Sequence, residues 1–272
     1  MRTSLLGVAL FVACVPVRVA RGQEPASAQD PSGLAWVQVP ESSFSMGSEA
    51  ASDDAKPLHT VTLPAFAIAA TEVTVRQYRG CVTAGGCTAG HWDDGTCHVP
   101  LGSEWGRGTL PEALRAEDLP MVCVDWEQAR RFAEWAGGRL CTEAEWESAA
   151  RSGGQPRRYP WGPEEPTCAR AVMNDPGPGC GAGRPAAPCS RVEGRSEQGV
   201  CDLLGNVSEW VADWLQPYRE GPLVAPEGPL AGAVRVVRGG GFADSAWRIS
   251  AAIRRPAGPT RSAADRGIRV CR

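Results

Sequence analysis

Ten of the eleven cysteines in this 272-residue chain lie between Cys81 and Cys271, behind an N-terminus shaped for export, and this pairing constrains the fold more than any other feature. Arg2 supplies a positive charge and Leu5 to Ala13 form an apolar stretch too short to span a bilayer, the layout of a secretory signal. Two processing sites are open. One follows Ala20-Arg21-Gly22, and the preferred cut lies near Gln23. The other precedes Cys14 in Phe11-Val12-Ala13-Cys14, where Phe replaces the usual Leu of a lipoprotein box. The protein is expected to be secreted or periplasmic, touching a membrane only through a lipid on Cys14. With Cys14 removed, an even number of cysteines in an oxidising compartment favours disulfides, and no Cys-x-x-Cys pair argues for zinc. Spacing leaves the connectivity open. Cys123 with Cys141, Cys168 with Cys180, and Cys189 with Cys201 would each staple a short segment, and Cys81, Cys87, Cys97 and Cys271 stay unassigned.

Composition narrows the partners. The 28 basic and 31 acidic residues give a net charge of -3, without a long run of either sign, so nucleic acid is not an expected partner. Gly 32 and Pro 23 beside an ordinary apolar fraction indicate a folded domain with long irregular connections. The expected layout is a signal peptide over residues 1–22, a flexible leader over 23–33 and one domain over 34–272.

Residues 36–72 alternate apolar segments with turn residues and predict short antiparallel strands. Thr74 followed by Gln77 is a capping box that opens a helix through Val75, Tyr78 and Val82, ending at Gly85-Gly86. Asp125 begins a second helix, with Trp126, Ala129, Phe132, Ala133 and Ala136 on one face. Thr142 and Glu145 cap a third, with Trp146 and Ala149 pointing inward. Residues 87–120 read as a long loop, residues 152–200 as ordered coil anchored by Tyr159 and Trp161, and residues 234–238 and 267–271 as strands closing the core.

Several motifs recur in one order: Met46-Gly47-Ser48, Glu72-Val73-Thr74, Gly138-Arg139-Leu140-Cys141-Thr142-Glu143-Ala144-Glu145-Trp146-Glu147, Tyr159-Pro160-Trp161-Gly162, Gly205-Asn206-Val207-Ser208-Glu209-Trp210, Arg238-Gly239-Gly240-Gly241-Phe242 and Gly267-Ile268-Arg269-Val270-Cys271. In these the chain resembles the formylglycine-generating enzyme (sulfatase-modifying factor) family from about Trp36 to Arg272. The resemblance implies an α+β fold of the formylglycine-generating-enzyme type in the C-type-lectin-like superfamily, with short strands, a few helices and extensive ordered coil stapled by disulfides. It also implies a copper-dependent oxidase, in which a serine follows the glycine pair and two cysteines follow in turn. Those places fall on Gly241, Asp244 and Ile249. Copper(I) takes soft thiolates, which an acid and an isoleucine do not replace, so copper is not expected. The family's disulfide between the last strand and the second helix is also altered, because Ala133 stands at the helix position.

The resemblance further implies a calcium site on Asp202, Gly205, Val207 and Glu209, two side chains and two carbonyls of the hard-oxygen type. Without an ion, Asp202 would cap a turn and Glu209 would open a helix through Trp210 and Trp214. A related branch uses iron on a His-x3-His-x-Glu helix, a spacing that His59, His91 and His98 do not form. Trp247, Arg248, Arg254 and Arg255 cluster beside the emptied centre and are expected to line a groove for a protein, peptide or glycan. Two functions stand: an exported binding module on this scaffold, or a formylglycine-generating oxidase with an atypical site.

Overall fold

Each helix begins where the sequence places a reciprocal cap. The structure, a computed structural model, describes residues 31–175 and 183–272. The expected signal, nearly all of the leader, and Cys180 with its expected bond to Cys168 lie outside the described residues. In chain order the strands and helices are β1 (Trp36–Val39), β2 (Ser42–Met46), β3 (His59–Leu63), β4 (Phe66–Ala69), α1 (Val75–Thr83), β5 (Cys97–Leu101), β6 (Glu104–Gly108), α2 (Trp126–Trp135), β7 (Arg139–Leu140) and α3 (Glu143–Ala150). There follow β8 (Ser208–Trp214), β9 (Leu223–Val224), β10 (Arg235–Arg238), β11 (Arg254–Ala257), β12 (Arg266–Ile268) and β13 (Val270–Cys271). In α1, α2 and α3 the N-cap side chains of Thr74, Asp125 and Thr142 accept from the third helical N–H, while Gln77, Gln128 and Glu145 reach back to the cap.

The strands form small sheets in the orders β1-β4-β13-β7, β11-β10-β8-β12, β2-β3-β9 and β5-β6. The first two are stitched by the C-terminal residues, since β12 runs parallel to β8 and β13 antiparallel to β4 and β7. Every residue of α3 is buried, with Trp146 fully enclosed, so this short helix is the axis around which two sheets pack. Tyr159 and Trp161 stack at 5.3 Å between ring centroids and anchor the coil after α3, as expected.

Three expectations are corrected. Residues 97–108 form a hairpin, not a loop; Gly102 at φ +74° and Ser103 make a two-residue turn, and Val99 is fully buried. Pro100, Gly106 and Gly108 interrupt the apolar alternation that would have marked it. The segment after Glu209 is the strand β8, because β10 and β12 pair on either side of it. Cys123 bonds to Cys97 rather than to Cys141, and Cys141 bonds to Cys271 across the β7–β13 pair. Cys271 thus has the other partner that the altered helix position requires. Cys189 bonds to Cys201 as expected, and Cys81 to Cys87 closes the end of α1.

Candidate functional site

The glycine run leaves β10 in left-handed backbone, at φ +88° for Gly239 and +75° for Gly240. A side chain at Gly239 would come within 2.7 Å of the Leu203 carbonyl, and one at Gly240 within 2.7 Å of Ile249 Cγ2, so the turn is packed shut against its neighbours. Asp244 folds back over it. The Gly241 N–H donates to Asp244 Oδ2 at 2.9 Å, Arg255 Nη1 pairs with the same oxygen at 2.6 Å, and Arg248 approaches Oδ1 at 3.5 Å. Ile249 is fully buried in the main core. The two positions at which thiolates would stand are therefore a salt-bridged turn and a packing residue. Among the described residues, Cys81, Cys87, Cys97, Cys123, Cys141, Cys168, Cys189, Cys201 and Cys271 are all in disulfides. This donor set does not fit copper(I).

Around this turn lie Phe242, Trp105 and His98, stepping outward with ring centroids 6.1 and 5.7 Å apart. Trp105 and His98 belong to the hairpin and were hidden in the supposed loop. Asp265 and Arg266 stand close by. Burial pushes the Asp265 carboxyl up and the Arg266 guanidinium down; on Asp265, Arg266 and Arg255 oppose that rise while Asp244 adds to it.

The structure divides the expected groove. Trp247 is 72 % exposed, with the Arg248 guanidinium 5.4 Å from its ring centroid, and Arg255 reaches across to Asp244. Arg254 points to the opposite face of β11, as strand alternation demands. There its Nε and Nη2 chelate Glu143 at 2.6 and 2.8 Å, and its Nη1 donates to the Asp54 and Gln216 carbonyls. Arg254 is therefore removed from the groove.

Glu143 and Glu147, one turn apart on α3, hold a buried ion network. Arg238 Nη1 donates to Glu143 at 2.7 Å and its Nη2 to Glu147 at 2.6 Å; Arg151 Nε donates to Glu147 at 2.9 Å. The Gly47 N–H donates to Glu147 at 2.8 Å, and the Tyr218 hydroxyl to Glu143 at 3.2 Å. The motifs around Met46, Glu143 and Arg238 thus meet in one place, and their charged residues are architectural.

The residues expected to hold calcium share one tight turn. Asp202 and Asn206 take left-handed φ of 53° and 57°, and Gly205 takes +81°, winding the turn tightly between two buried carboxylates, Asp202 and Glu209. A third, Glu72, lies among them, accepting from Val207 N–H at 3.0 Å and from Asn206 Nδ2 at 2.6 Å. Asn206 is thereby held inside the fold. Burial raises Glu72 well above the usual carboxylate range, and Asp202 and Glu209 push it further; burial also raises Asp202 and Glu209. Glu209 already receives Arg269 Nε at 2.8 Å and Trp146 Nε1 at 2.6 Å. Glu72 and Glu209 are thus already partnered, and among the described residues no three or more His, Cys, Asp or Glu side chains are grouped to hold a metal ion; what the turn offers is two hard-oxygen carboxylates, Asp202 and Glu209. The three histidines sit apart: His59 beside Tyr218, His91 against Asp94, and His98 against Trp105.

A capped three-helix frame, short strands, and a closed turn after a glycine run define a scaffold of the formylglycine-generating-enzyme type, within the C-type-lectin-like class. The sulfatase-modifying factor enzyme 1-like domain matches residues 22–272, and the chain belongs to that family. It is 34% identical over 267 residues to a formylglycine-generating enzyme of Streptomyces coelicolor, covering 82% of this chain and 83% of that protein. It is also 34% identical over 230 residues to hercynine oxygenase of Mycolicibacterium thermoresistibile, spanning 75% of this chain but 49% of that one. Among solved structures, PvdO from Pseudomonas aeruginosa superposes with a TM-score of 0.69 at 25% identity, covering 87% of this chain and 93% of that one.

Proposed function

We propose that this protein is an exported, non-catalytic binding module on the formylglycine-generating-enzyme scaffold. The observation that carries this reading is the turn itself, where Asp244 is paired with Arg255 and Ile249 is packed into the core at the two places that need thiolates. A peptide or glycan would dock beside it, on the exposed Trp247 ring with Arg248 and Arg255 as polar contacts. Calcium would be held by the Asp202 and Glu209 carboxylates with the Gly205 and Val207 carbonyls, fixing the turn beneath that surface. Among the described residues no helix is long and apolar enough to cross a membrane; a lipid on Cys14 would tether the module to one.

The enzymes among the relatives favour a second reading, an oxidase with an atypical site. One experiment separates the two. The disulfide-intact protein is incubated with copper(I), oxygen and a Cys-x-Pro-x-Arg peptide, and cysteine-to-formylglycine conversion is followed by mass spectrometry beside an active relative. No conversion is expected; conversion would overturn the binding-module reading.

A further inference from the structure

The segment after β8 folds back toward β2 and β3 and bounds a half-open cavity of about 220 Å³. None of Gly241, Asp244, Trp247, Arg248 or Arg255 lines it, so it is separate from the turn discussed above. Its walls are largely apolar, built by Met46, Trp214, Pro217 and Leu223. Arg219 and Glu227 also line it, and its polar floor is Glu143, Tyr218, Arg254 and Asp213. Three of these four satisfy one another: Arg254 chelates both Glu143 oxygens, and the Tyr218 hydroxyl donates to Glu143.

Asp213 is the exception. It is 6 % exposed, its Oδ2 accepts the Glu143 N–H at 2.7 Å, and among the described residues it has no ion-pair partner and its Oδ1 has no donor. A Cβ at Gly228, whose φ is +74°, would lie 2.4 Å from that oxygen, so the glycine backbone packs against the carboxyl and covers Oδ1 without giving it a donor or a cation. A carboxylate oxygen without a cation at the base of an apolar-walled cavity matches a ligand with a positive head and a hydrocarbon stem, because such stems lie along apolar surface while the head keeps polar contact.

We propose that this cavity binds an ammonium or guanidinium group carried on an unbranched aliphatic stem, with Asp213 as its counter-charge. The source is either a lysine or arginine side chain of a peptide, or a free alkylamine. The proposal is independent of the reading of the Gly241–Asp244 turn, since a catalytic or non-catalytic turn leaves this cavity unchanged.

Titration calorimetry on the full disulfide-intact protein at about pH 8.5, above the Asp213 pKa of about 7 so that its carboxyl is ionised, tests it with three probes: agmatine, 1-pentanol as a neutral stem, and the tripeptide Gly-Lys-Gly. Agmatine is expected to bind saturably and at least tenfold more tightly than pentanol. Asp213→Asn keeps an acceptor for the Glu143 N–H but removes the charge, and should weaken agmatine at least tenfold. Tighter binding of the tripeptide than of agmatine identifies a peptide source, and the reverse a free amine; either supports the site. Absence of agmatine binding to the wild type, or equal affinity for agmatine and pentanol, overturns the proposal without relying on any variant. Unchanged agmatine affinity in folded Asp213→Asn overturns it too.

Discussion

Asp213 shows how one buried carboxylate ties stability to pH. Burial, with Glu143 beside it, pushes its pKa from 3.8 to about 7. Between those values the folded protein holds a proton that the unfolded chain has released. The stability linked to this group is therefore fully present below 3.8 and is lost as pH rises toward 7. Over that window the unfolding free energy of wild type relative to Asp213→Asn should fall by at most about 1.4 kcal/mol per pH unit, as read by urea denaturation at several pH values. A difference that stays flat with pH would show that Asp213 is not perturbed. Arg269 works in the opposite sense, as the cation that makes Glu209 tolerable in the interior. Arg269→Met should cost about 3–5 kcal/mol by the same denaturation, because it strands a buried charge. A loss below 1 kcal/mol would mean that Glu209 is neutral or otherwise compensated. The replacement of two thiolates by Asp244 and Ile249 was legible in the sequence, since it follows from residue identity at counted positions. The Asp213–Glu143 contact was not, because its partners are 70 residues apart in the chain.

The helices were legible because their signals are local. Each capping box spans four residues and satisfies otherwise orphaned backbone donors within that span. Thr142→Ala should destabilise the protein by about 1 kcal/mol, measured as a shift in the urea midpoint at unchanged slope. The segment Ser208–Trp214 misled for the same reason: Trp210 and Trp214 repeat at helical spacing, yet the residues form a strand with partners on both edges. The hairpin over residues 97–108 depends on Cys97–Cys123 and on burial of Val99, neither visible in its own pattern. At this scale the calcium proposal also has a test. Chelation by EGTA should lower the melting temperature of the wild type, and added calcium should restore it, by mass action on the folded state. Indifference of Asp202→Ala to chelator would agree; indifference of the wild type would remove calcium from the turn.

Across the whole molecule, the disulfides differ in what they restrain. Cys141–Cys271 closes 130 residues and ties the last strand to the entry of α3, whereas Cys81–Cys87 closes 6 at the end of α1. Loop-closure entropy assigns about 5 kcal/mol to the first and about 2 kcal/mol to the second. Removing both cysteines of the long bridge should therefore lower the denaturation midpoint markedly more than removing both of the short one. Equal losses would show that native packing, not chain entropy, sets their contribution. The sequence by itself determined the family, the three capped helices and the absence of cysteine between Cys201 and Cys271, because each is written in residue identity over short spans. Only the tertiary structure decided that Cys141 meets Cys271, that Arg254 turns away from Arg255 to bind Glu143, and that Asp213 faces a cavity. Those outcomes depend on which strands lie side by side and which face each residue presents, and pairing across many tens of residues leaves no local pattern to read.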